Sequence, residues 1–186
     1  NDGFPDIMIA SELGHLIYFQ NPTHDIRDSL WPRLILPSTQ GRGSYLRTFF
    51  ADFEDDGRPE ATGANKGAQR PGPLDLIKSN PVSIFKMTGD PLIGASWQEQ
   101  VLGHYSIPQN AEPVDLDSDG DPDIVVGSRG EGRILWFENI GQHSGTFAEH
   151  AIGIAGTQVS GFNMAYSDIN MDGRLDIIAA SDNGLV

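Results

Sequence analysis

The strongest constraint on this chain is an acidic pattern, D-x-D-x-D-G-x-x-D, that recurs whole or in part around Asp2-Gly3, Asp56-Gly57, Asp119-Gly120 and Asp172-Gly173. The interval is a little over fifty residues, stretched to about sixty by an insertion near residues 64–81. Repetition on this scale means that one supersecondary unit recurs, each copy burying its apolar faces against its neighbours.

Each unit shows the same order of features. The third runs from Asp115 to Asp123 into the apolar Ile124-Val125-Val126, then a Gly-rich turn, then Ile134-Leu135-Trp136-Phe137-Glu138-Asn139. The first matches with Asp6, Ile7-Met8-Ile9, a turn and Leu16 to Asn21. A further run closes each unit: Trp31 to Leu36, Trp97 to Leu102 and Phe147 to Ile152. Short apolar runs bounded by Gly, Pro, Asn and Asp are strand signals, so the chain is expected to be all-β. A period above fifty suits a four-stranded antiparallel blade with its loops better than a helical solenoid.

The expected architecture is therefore a β-propeller region over residues 1–186, in repeats at about 1–46, 47–109, 110–162 and a partial 163–186. With the strand before the acidic loop called A, each blade reads A-loop-B-C-D. Because the first repeat opens inside its loop and the last stops where strand C is due, about three and a half blades are expected, a fragment of a longer propeller or one completed by a partner.

The acidic loops carry the clearest chemistry. Ca²⁺ takes six to eight oxygens, and alternate residues on a tight loop can aim several carboxylates at one centre where a glycine permits the turn. Two copies are complete: Asp115, Asp117, Asp119 and Asp123 with the Asp121 carbonyl, and Asp168, Asn170, Asp172 and Asp176 with the Arg174 carbonyl. A third, Asp52, Glu54, Asp56 and Glu60 with the Arg58 carbonyl, puts longer side chains at two positions, so a weaker or rearranged site is expected there. The first keeps only Asp2 and Asp6. An Asp-Gly pair alone means no more than a turn, but four acids within nine residues repel one another without a cation. An EF-hand does not fit, because no Glu stands at the twelfth position and the flanks read as strands.

These residues, with the W-F-E-N strand of 134–139, resemble the FG-GAP or VCBS repeat family, which includes the integrin α-subunit head and many secreted microbial propellers. The resemblance implies seven blades in the whole protein, structural Ca²⁺, and a secreted or cell-surface location.

Strand direction gives a second expectation. The A–B loops leave one end of each sheet, so the B–C and D–A loops gather at the other. His15, Arg42, Lys66, Arg70 and Arg129 fall there, with His104 and Tyr105, and this set suits an acidic glycan or a protein ligand. Three functions follow: a noncatalytic binding module, a lyase acting on glucuronate-containing glycans, or a structural array with calcium as its only ligand. A loose likeness to secreted propeller lyases of the rhamnose–glucuronate kind supports the second. Whether the chain is an enzyme stays open; in a lyase Arg129 or Lys66 would neutralise the uronate carboxylate and His104 or Tyr105 would take the proton. The recurring Trp31, Trp97 and Trp136 are expected to pack between blades, and His24, His143 and His150, which lack ligand spacing, to lie on the surface.

A net charge of −14, from 26 acidic and 12 basic residues, would repel nucleic acid and anionic membranes at long range, and neither is an expected partner. No stretch is long and apolar enough for a membrane span.

Overall fold

The computed structural model describes residues 2–141, 144–153, 159–181 and 184–185. These form four antiparallel sheets, each hydrogen-bonded in strict sequence order. The first holds β1 (Ile7–Ala10), β2 (Leu16–Phe19) and β3 (Arg33–Ile35). The second holds β4 (Ser44–Ala51), β5 (Glu60–Gly67), β6 (Asn80–Met87) and β7 (Trp97–Tyr105). The third holds β8 (Pro108–Val114), β9 (Asp123–Ser128), β10 (Arg133–Asn139) and β11 (Phe147–Ile152). The fourth holds β12 (Val159–Ser167), β13 (Asp176–Ser181) and β14 (Gly184–Leu185).

The period-2 alternation of strand side chains explains how the sheets stack. In β9, Ile124 and Val126 point into a cluster with Ala64, Val82 and Ile84 of the second sheet and Phe53 of the loop between β4 and β5. Val125, between them, points the opposite way, toward Val159 and Ala179 of the fourth. β10 alternates alike, with Leu135 and Phe137 on one face and Ile134 and Trp136 on the other. A third cluster joins the first two sheets through Leu16, Tyr18, Tyr45 and Phe85. Each middle sheet is thus buried on both faces, and in the third sheet β9 accordingly reads as the continuous apolar run Ile124-Val125-Val126. The third and fourth sheets approach closely where a Cβ on Gly127 would lie 2.4 Å from the Gly161 Cα.

Trp97 packs at the first interface, 5.5 Å from the Tyr18 ring, and Trp136 at the third. Trp31 lies outside the clusters and donates its indole N–H to the Ile26 carbonyl at 3.2 Å.

Two loop expectations are corrected. The B–C loop of the second sheet begins later than expected, because β5 continues through Lys66 to Gly67, and the inserted residues carry a short 3₁₀ turn at Pro73–Ile77. The D–A link before β8 is only Ser106 and Ile107, so His104 and Tyr105 end β7. In both places the ladder continues past residues whose composition reads as loop: Asn80 pairs with Tyr105 and Pro81 with His104. His143 and residues 156–158 lie outside the described residues.

Candidate metal centre

The acidic loops share one hydrogen-bond scaffold. In 115–123 the first acid accepts two amides, Asp119 N–H at 3.1 Å and Gly120 N–H at 3.2 Å, and the fifth accepts Asp121 N–H at 2.9 Å. In 168–176, Asp168 accepts from Asp172 and Gly173, and Asp172 from Arg174. In 52–60, Asp52 accepts from Asp56 and Gly57, and Asp56 from Arg58. The short first copy retains the last of these bonds, Phe4 N–H to Asp2 at 3.0 Å. Sequence positions four and six turn through the left-handed region together: Ser118 at φ 65° with Gly120 at 100°, and Met171 at 60° with Gly173 at 86°. Glycine adopts this conformation freely, whereas Ser and Met do so at a cost the surrounding bonds must offset.

In the third loop this fold brings carboxylate oxygens of Asp115, Asp117 and Asp119 within 4.8 Å of one another, the one such group of three potential metal ligands among the described residues. Burial pushes the Asp117 pKa up, and the charges of Asp119, Glu138 and Asp115 push it the same way, against the Asp119 amide. The loop therefore gathers negative charge that a divalent cation would neutralise, with alternate oxygens already converging. The residues fit Ca²⁺. The fourth loop offers Asp168, Asn170 and Asp172 on the same scaffold.

Residues 115–179 match the family model described as FG-GAP-like repeat. This stretch of the chain is an FG-GAP-like repeat. No curated protein and no solved structure matches the chain. The FG-GAP-like repeat thus takes in the third loop, the whole of β9 to β12 and the fourth loop.

Within the FG-GAP-like repeat the ninth acid stands apart from the other three. Asp123 is buried, and its two oxygens accept Leu116 N–H at 3.1 Å and Asn139 N–H at 2.8 Å, tying the loop's start to the end of β10. Asp6 repeats the second bond with Asn21 N–H at 2.8 Å, and Glu60 and Asp176 repeat the first with Phe53 and Ile169. Burial raises the Asp123 pKa although these amides favour its charged form. The recurring Asn at the end of W-F-E-N is the sequence signal for this latch, and reading it as part of a strand motif alone missed it.

At the opposite end of the strands the basic residues do not share one pocket. Arg42 pairs with Glu99 at 2.5 Å and, with His104, Asn65 and Asn80, lines an open cleft of about 310 Å³. Lys66 is buried and reaches Glu12 of the first sheet at 3.6 Å. Arg70 and Arg129 are exposed, and His15 is half-buried. Tyr105 is in the core, its hydroxyl donating to Glu149 at 2.8 Å. Burial and that carboxylate push its pKa far up, so this phenol holds its proton under conditions where a catalytic base would need to have lost it.

Proposed function

We propose that the chain is a calcium-binding β-propeller repeat module of a secreted or surface protein. Each sheet is one blade within a single repeat region. Calcium would be held by Asp115, Asp117 and Asp119 with the Asp121 carbonyl, and by Asp168, Asn170 and Asp172 with the Arg174 carbonyl. The observation that carries this reading is the convergence of three carboxylates on a loop already folded by its own amides. Bound calcium would supply the positive charge that offsets their repulsion, and so fix the A–B corner of each blade. Serial packing of the four antiparallel sheets, the two four-stranded ones through both faces, supports the propeller reading.

The opposite end is the ligand surface in this reading. Exposed Arg129 and Arg70, with the cleft beside Arg42 and His104, suit an acidic glycan or an acidic protein segment. A binding role needs none of the candidate proton acceptors, and the engagement of Tyr105 and Lys66 favours it over a lyase. Terbium luminescence, displaceable by calcium, tests the metal reading. The wild type should give a saturable signal that Asp119→Ala reduces; no displaceable signal would refute it.

A further inference from the structure

The strand registers place Lys86 and Glu138 at the same point of successive sheets. Phe85 pairs with Ala61, the residue after the ninth acid of the second loop, and Phe137 pairs with Ile124, the residue after the ninth acid of the third. Lys86 and Glu138 follow those phenylalanines, and Gln20 follows Phe19 in the first sheet, where Phe19 pairs with Ile7. One strand position thus holds a cation, an anion and an amide in three sheets.

That position borders the third acid of the loop. In the second sheet the Lys86 ammonium is bonded to the Glu54 carboxylate, with both side chains about a third exposed or less. In the third sheet Glu138 is bonded to His150 at 2.6 Å on the neighbouring strand. The two loops share their backbone scaffold, from the first acid's pair of amides to the bond between the fifth acid and the seventh residue. They differ in that 115–123 brings three acids together and 52–60 commits its third to a lysine.

We propose that the charge at this strand position decides how each loop is neutralised: Lys86 does for 52–60 what a divalent cation does for 115–123, and Glu138 strengthens cation binding in the latter. The second loop is then a metal-independent copy of the same corner, with its cation attached through β6. This rests on the calcium reading of 115–123. The physical basis is that an ammonium within hydrogen-bond reach of a carboxylate cluster relieves the same repulsion as a bound ion, without any requirement for free calcium. An added carboxylate beside the third loop raises its negative field, and neighbours of metal ligands commonly change affinity by about 10-fold or more.

The test is calorimetric titration of the 186-residue chain with calcium chloride, together with melting in chelator. Asp119→Ala should lose calcium binding relative to the wild type, which checks the underlying reading by itself. Asp56→Ala should leave calcium stoichiometry unchanged. Lys86→Gln should melt a few degrees lower in chelator, as expected for about 1 kcal/mol in a chain of this size, and should bind one further ion that restores the melting temperature. Lys86→Arg, which keeps the charge, should behave as the wild type, and Glu138→Gln should weaken calcium affinity by about 10-fold. The proposal is overturned if Asp56→Ala removes an ion from the wild type, if Lys86→Gln gains none, or if Glu138→Gln binds as the wild type does. Loss of binding in Asp119→Ala alongside any of these results would leave the calcium reading standing and this one refuted.

Discussion

The two ends of the sheets are built on different principles. At the A–B end, three loops repeat the same carboxylate-to-amide bonds, so each corner is determined by residues within nine positions of one another. At the other end each basic side chain has its own surroundings: Arg42 meets Glu99, Lys66 meets Glu12 across a sheet interface, and Arg129 faces solvent. Local contacts recur whenever the motif recurs, whereas contacts between sheets depend on register and insertions and are free to diverge. The first end is thus set by local sequence and the second by contacts between distant segments.

The largest effect expected on this contrast is that of Asp123→Ala. It strips the half-buried Leu116 amide and the buried Asn139 amide of their acceptor, at a cost of about 3 kcal/mol. Urea denaturation should show most of that loss in chelator as well as in calcium, and a loss confined to calcium would make Asp123 a ligand more than a latch. Asp119→Ala should come next, abolishing the share of the calcium-dependent gain in melting temperature that belongs to the 115–123 loop while changing stability in chelator by about 1 kcal/mol, since it gives up one part-buried amide bond. Tyr105→Phe should cost about 1 kcal/mol, the worth of its bond to Glu149, which chemical denaturation can resolve. The smallest stability effect belongs to Arg129→Ala, within about 0.5 kcal/mol of wild type. Its consequence should appear instead as weaker binding to glucuronate-bearing glycans on an array, and unchanged binding would remove Arg129 from the ligand surface.

Much of the A–B end was legible in the sequence, because its signals are short-range. Asp-Gly spacing, the strand after each loop and the W-F-E-N run locate β9 and β10 directly, and the four-strand order A-B-C-D matches the pairing order of the second and third sheets. What escaped was set by contacts distant in sequence. Nothing near Glu54 announces Lys86, which reaches it only because β6 pairs with β5 in a particular register. Gly63 to Lys66 read as loop by composition, yet β6 and Leu16 of the first sheet enclose that stretch as strand. Tyr105 likewise sits where a loop was expected, and the core claims its ring. The ninth acid was legible as an acid but not as an acceptor of backbone amides, since a carboxylate that binds metal and one that binds N–H groups have the same letter.

The claim on which the rest depends is that carboxylates gathered in the FG-GAP-like repeat need a cation. Thermal melting of the wild-type chain in chelator and across a calcium series tests it most directly. An ion that binds only the folded state should raise stability as RT ln(1 + [Ca²⁺]/Kd), about 2.7 kcal/mol for one site at a hundred times Kd. The account predicts a melting temperature that climbs steadily with calcium and falls back on chelation; a melting temperature indifferent to both would contradict it.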